Sequence, residues 1–121
     1  MLLIRLGAQS LSIINAIFDD SGYLNSRVSV VGYNDPYTET FLSFTDQPRI
    51  EDRKQASIEA INRLYASGGG DFPESVNAGL IRALSGGAGQ WRTDAIARRI
   101  ILFGDAPPND NELRAQVLAL A

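Results

Sequence analysis

A chain of 121 residues with 45% apolar content is the size of one domain and can bury a modest core. Eleven basic residues oppose fourteen acidic ones for a net charge of −3, and ten of the eleven are arginines scattered along the chain, which excludes electrostatic recruitment of nucleic acid. Cysteine and histidine are both absent, so disulfides, Ser-His-Asp and Cys-His nucleophile systems and zinc sites of the nitrogen or sulfur type are excluded, and any metal must be held by oxygen, as magnesium, calcium and manganese are.

From the N-terminus, Leu3, Leu6, Leu11, Ile14 and Phe18 recur every three to four residues or so, and this spacing predicts an amphipathic helix over residues 2–18. Met1-Leu2-Leu3-Ile4 is broken by Arg5 and Gly7, reads as no signal peptide and is far too short to cross a bilayer. After a break at residues 19–22, Val28, Val30 and Val31 form a β-branched run typical of a buried strand over residues 27–33, closed by a turn at Asn34-Asp35-Pro36. Residues 38–44 alternate loosely between Thr and aromatics and predict an edge strand paired back on its predecessor.

A helix follows over residues 51–66, with Ala56, Ile58, Ile61, Leu64 and Tyr65 on one side, and stops at Gly68-Gly69-Gly70. Another is predicted from about Phe72 to Leu84, burying Val76, Leu80, Ile81 and Leu84, with a glycine loop at residues 86–89 beyond it. Residues 99–103 read as a second buried strand, and residues 112–120 as a last helix. Near-continuous apolar strands between amphipathic helices argue for a three-layer α/β fold around a mainly parallel sheet, where ligands sit beyond the carboxyl ends of the strands.

Asp35 and Asp105 each follow a buried strand, and Asp71-Phe72-Pro73-Glu74 opens a helix. Each has a plain local explanation: Asp35 as a turn residue, and Asp71 to Glu74 as a capping box with Pro73 in the first turn. Brought together, these carboxylates would repel one another and raise their own pKa values, a cost that a divalent cation removes. The glycines at 68–70 lack the Gly-Lys-Ser/Thr of a phosphate loop. Trp91 is expected to pack over the helix–sheet seam, and Tyr33 and Tyr37 either to rim a site or to shield the strand ends.

Taken in order, Arg27-Val-Ser-Val-Val-Gly-Tyr-Asn-Asp35, Gly70-Asp-Phe-Pro-Glu74, Trp91-Arg-Thr-Asp-Ala95 and Arg99-Ile-Ile-Leu-Phe-Gly-Asp-Ala-Pro107 resemble the von Willebrand factor type A family, most nearly its bacterial secreted members and the integrin β-subunit I-like domains. The resemblance implies a Rossmann-like fold with one antiparallel edge strand. It also implies a metal-ion-dependent adhesion site in which a protein ligand's carboxylate completes the coordination of magnesium. By similarity, Glu74 and Asp105 would hold that ion. Asp35, Asp71, the Pro73 carbonyl and Glu74 would match an adjacent calcium site, where Gly69 replaces the family's Asn.

The Asp-x-Ser-x-Ser signature that supplies the family's principal ligands is absent, and Ser10 and Ser12 have the spacing of a helix surface instead. The expectation is therefore one partial domain over residues 1–121, lacking the central strand with its signature loop and the last strands. The two buried strands would then pair directly or leave open edges for self-association. The function expected is a non-catalytic adhesion or binding module that holds a divalent cation weakly or not at all on its own, without membrane insertion, and secreted or cell-surface by family habit. The alternatives are a magnesium-dependent hydrolase or phosphotransfer domain using Asp105 and Asp35, and a structural fragment with no ligand.

Overall fold

In the computed structural model, residues 2–4, 9–19, 25–33, 38–66, 75–102 and 110–121 are described. They form β1 (Leu2–Ile4), α1 (Gln9–Asp19), β2 (Ser29–Tyr33), β3 (Thr38–Leu42), α2 (Ile50–Ala66), α3 (Val76–Leu84), β4 (Ile100–Leu102) and α4 (Arg114–Leu120), the last entered through a 3-10 turn at Asn111–Leu113. The sheet order is β3-β2-β1-β4, with β1 parallel to both neighbours and β3 antiparallel at one edge. The mainly parallel sheet with one antiparallel edge strand is thus present as expected.

The start of the chain departs from expectation. Residues 2–18 are not one helix: Leu2–Ile4 is a strand, and α1 begins at Gln9. Nor does the Val28 strand pair with the Ile100 strand. β1 lies between them, Leu2 aligning with both Ser29 and Ile100, so the central position expected to be missing is occupied. Two starts come later than expected: β4 (Ile100–Leu102) begins one residue after Arg99, with Phe103 outside the described residues, and α3 starts at Val76 rather than near Phe72.

Strand β2 is buried along its whole length and separates two apolar clusters. Val28 and Val30 pack with Ile14 and Phe18 of α1 and with Ala60, Ile61 and Leu64 of α2. Val31 and Tyr33 pack with Val76 and Ala83 of α3 and with Ala88 beyond it. This two-sided burial is the period-2 alternation of a strand read by a helix layer on each face.

The face that α3 turns to the sheet is smaller than its apolar pattern predicts. Val76, Asn77, Gly79 and Ala83 are buried, while Leu80, Ile81 and Leu84 are only half-buried. Gly79 lets the helix approach, since a Cβ there would stand 3.1 Å from Tyr33 Cβ. On β2 the register shifts between Val30 and Val31, and the ladder skips Phe41. Gly32 accommodates that ring: a Cβ at 32 would lie 2.6 Å from Phe41 Cε2 and 2.9 Å from Leu64 Cδ2.

Arginines fasten the β3 edge. Arg82 of α3 donates to Thr38 Oγ1 (2.9 Å), Thr40 Oγ1 (3.3 Å) and the Thr38 carbonyl (3.2 Å), and Arg63 of α2 donates to the Phe41 carbonyl from the other side. Occupied carbonyls and a charged Glu39 blunt an edge that would otherwise template further pairing. Trp91 bridges a helix–strand seam, its indole N–H donating to the Ala83 carbonyl at 2.8 Å and its ring standing edge-on to Phe44, with centroids 5.0 Å apart.

Beyond β3, Thr45 closes the entry to β2. Its backbone N–H donates to the Val28 carbonyl at 2.9 Å, and its buried hydroxyl accepts the Val28 N–H at 3.1 Å. Thr45→Val keeps the shape but leaves that buried N–H without its partner, so it should cost about 1–3 kcal/mol, read as a lowered urea midpoint at unchanged slope.

Candidate functional site

In a parallel sheet the strands that run together also end together. The carboxyl ends of β1, β2 and β4, at Ile4, Tyr33 and Leu102, therefore lie along one edge. Helix α3 runs antiparallel to β2: near its start Gly79 abuts Tyr33, and beyond its end the Ala88 carbonyl accepts from Phe44 N–H, past β3. Its amino end consequently shares the edge with the three strand termini.

That helix end is secured from a distance. Ser75 occupies the cap position and makes no side-chain cap hydrogen bond. Instead the carboxylate of Asp110 accepts the Asn77 N–H at Oδ1 (3.1 Å) and the Ala78 N–H at Oδ2 (2.7 Å). Asn77 reciprocates through its side-chain amide to the Asp110 carbonyl at 3.1 Å, and Leu113 N–H donates to the same oxygen at 2.9 Å. Asp110 is only 7% exposed, so the four contacts fix it from both its main chain and its carboxylate. A negative group at the positive end of a helix, bonded to the second and third N–H groups, does the work of an N-cap.

The helix begins at Val76, its second and third N–H groups are bonded to Asp110, and the capping box expected at Asp71 to Glu74 lies outside the described residues. Asp110 had drawn no attention in the sequence. Its one local signal is its place after Pro107-Pro108-Asn109, just ahead of a helix.

All five residues named as metal ligands, Asp35, Asp71, Pro73, Glu74 and Asp105, lie outside the described residues, as do Gly69 and Tyr37. Described chain borders each of them. Asp35 is two residues past Tyr33, Glu74 is one before Ser75, and Asp105 is three past Leu102 and five before Asp110. Among the described residues, no group of three or more carboxylates is placed to hold a metal ion.

Tyr33 is buried against α3 and so belongs to the core. Ser12 is exposed on α1, as its helical spacing implied. In the Trp-Arg-x-Asp segment, Arg92 bonds Asp94 at 3.2 Å and the Asn25 carbonyl at 2.9 Å, tying this irregular stretch to the entry of β2. The hydrogen bond and charge of Arg92 hold the exposed Asp94 carboxyl below the usual aspartate range. A groove of about 490 Å³ between α1 and α2, floored by Phe18, Ile50 and Ile58, is crossed by the Lys54–Asp19 ion pair at 2.8 Å. No helix among the described residues is long and apolar enough to cross a membrane.

Compared with known families, the chain matches the model of the von Willebrand factor A domain over residues 3–121. No curated protein and no solved structure gives a significant match.

Because α3 is capped from residue 110 and not from its own cap position, Asp110→Ala should cost about 0.5–2 kcal/mol, whereas Ser75→Ala, which removes no cap bond, should cost clearly less. Paired urea denaturation curves measure both; equal losses would overturn this account of the helix start.

Proposed function

Since the chain belongs to the von Willebrand factor A domain family, whose members are generally protein-interaction modules, we propose that it is a non-catalytic binding domain that recognises a protein ligand at the carboxyl-end edge of its sheet. A divalent cation mediates the contact. Glu74 and Asp105 hold magnesium there, and Asp35, Asp71, Glu74 and the Pro73 carbonyl form the adjoining position that prefers calcium. The ligand contributes a carboxylate that completes the coordination.

The observation that carries this reading is the shared edge. β1, β2 and β4 run parallel, and the contact between Asp110 and α3 joins the chain that follows β4 to the chain that precedes α3. With at most about 3.6 Å of reach per residue, the Cα atoms of Asp35 and Asp105 can stray only about 7 and 11 Å from the ends of β2 and β4. Glu74 adjoins Ser75 directly.

Donor chemistry fits the ion. The set offers carboxylates and one carbonyl, all oxygen, with neither imidazole nor thiolate anywhere in the chain, which suits magnesium or calcium and not zinc or copper. The cation would supply a fixed positive charge to bind an acidic partner group, and the chain's own part is to hold carboxylates close together at a sheet edge. The Asp-x-Ser-x-Ser signature with its leading aspartate is absent, so these residues alone form a weak site.

NMR titration of the chain with magnesium and with calcium tests this directly. Expected is saturable binding with a Kd of roughly 0.1–1 mM or weaker, and a loss of at least about tenfold in affinity for Glu74→Gln and for Asp105→Asn. Absence of any saturable shift, or binding indifferent to both substitutions, overturns the cation site. Magnesium-dependent turnover of a phosphate ester, lost in Asp105→Asn, would overturn the non-catalytic reading.

A further inference from the structure

We infer that the chain pairs with a second copy of itself at the amino-end edge of the sheet, the exposed stretch 96–99 of each copy seating in the groove between α1 and α2 of the other. This edge lies opposite the one assigned to ligand binding, so the inference stands without the cation site.

The inserting half is the stretch that leads into β4. Trp91 is tied to the Ala83 carbonyl and Arg92 to the Asn25 carbonyl at the entry of β2. Since β1 runs parallel to both β2 and β4, the residues just ahead of Ile100 stand at the same amino-end edge as that entry. Residues 96–99 are irregular, and Ile96 is fully exposed, more so than any other large apolar side chain among the described residues. Arg98 and Arg99 beside it are exposed as well. A lone surface isoleucine is ordinary. Here it carries two neighbouring cations and is held between a fixed Arg92 and a strand, so an apolar anchor with a basic collar is presented with little ordering left to lose.

The receiving half has the opposite character. The last turn of α1 and the first turns of α2 enclose about 490 Å³ over Phe18, Ile50 and Ile58, which is room for an isoleucine side chain. This groove also belongs to the amino-end edge: Phe18 clusters with Val28, and Thr45, five residues before Ile50, bonds the Val28 main chain. Its charged lining is two acids, Asp19 and Glu51, against one lysine, and the acid side chains are 62% and 70% exposed. Lys54 meets Asp19 at 2.8 Å as a point charge. An arriving guanidinium offers the same carboxylates paired N–H donors in a fixed fork, which an ammonium cannot. The apolar anchor thus meets an apolar floor, and the basic collar meets an acidic rim.

Symmetry follows from placement. Because both halves lie at one end of the molecule, a single two-fold axis can satisfy the two contacts at once, giving a closed dimer and not an open chain of copies. The contact is small, so the dimer is weak, with a Kd on the order of 0.1 mM.

Sedimentation velocity from about 10 µM to about 1 mM reads this association directly. Expected is a concentration-dependent dimer of the wild-type chain, weakened at least about tenfold by Ile96→Ser and weakened also by about 0.5 M salt. Glu51→Arg, and Arg98→Glu combined with Arg99→Glu, each bring like charges together in both contacts, so each variant is monomeric alone. Mixed in equal amounts they restore a dimer, because one contact then pairs reversed charges and the other is native. Excess EDTA leaves the wild-type dimer unchanged. A wild-type chain that stays monomeric overturns the inference, as does a mixture of the two charge variants that fails to dimerise. A dimer indifferent to Ile96→Ser and to Glu51→Arg, the behaviour of two copies joined through β4, overturns it too. Association abolished by EDTA assigns the contact to the cation edge and overturns this interface, whereas failure of the chain to bind magnesium or calcium leaves it standing.

Discussion

Among the described residues, β4 reaches the rest of the sheet only through β1, and β1 is three residues long. The parallel pairing of Leu2, Leu3 and Ile4 with Ile100, Ile101 and Leu102 on one side, and of Leu2 and Leu3 with Ser29 and Val30 on the other, sets the position of everything that follows β4. Parallel ladders are slightly weaker per residue than antiparallel ones, and so short a strand contributes few bonds. The second tie, from Asp110 to the start of α3, therefore matters more than its two backbone bonds imply. It fixes the far end of the segment after β4 to an independent element, so residues 100–110 are held at both ends.

The β2 strand explains how that second tie gains its precision. Its two faces pack on different helix layers, and the buried α3 face is built from Val76 and the small or polar residues Asn77, Gly79 and Ala83. The close approach at Gly79 leaves α3 little freedom to slide along the sheet, since movement would bring backbone against Tyr33. Arg82 adds direction by gripping β3 through Thr38 and Thr40. The amino end of α3 is thereby placed along the sheet axis before Asp110 caps it.

Legibility in the sequence followed the range of each interaction. The Val28 to Val31 run, the Thr-rich edge strand and the helix ending at Ala66 were readable because their signals are local periodicities. β1 was not, because Leu2-Leu3-Ile4 merges with the helical spacing of Leu6, Leu11 and Ile14, and three apolar residues carry no period of their own. The start of α3 was placed too early because Asp71-Phe72-Pro73-Glu74 has the composition of a capping box, while the cap in the structure comes from a residue more than thirty positions later. No rule confined to neighbouring residues can see a cap delivered across the fold. Asp35 and Asp105 stand out in the sequence because each follows an apolar run, whereas Asp110, which caps α3, does not, being one acid among fourteen.

Commitment of Asp110 has a consequence for how an acidic partner could be bound here. A helix amino end is ordinarily a ready anion site, with N–H groups and a positive dipole aimed outward. In α3 the second and third N–H groups already face a carboxylate, and the dipole is already offset by its charge. An incoming carboxylate would find those donors occupied and a like charge beside them. Recognition of an acidic group at this edge thus cannot draw on the helix alone and needs positive charge from another source. Arg82 of the same helix is spent on β3, and in the proposed function a bound cation would supply that charge.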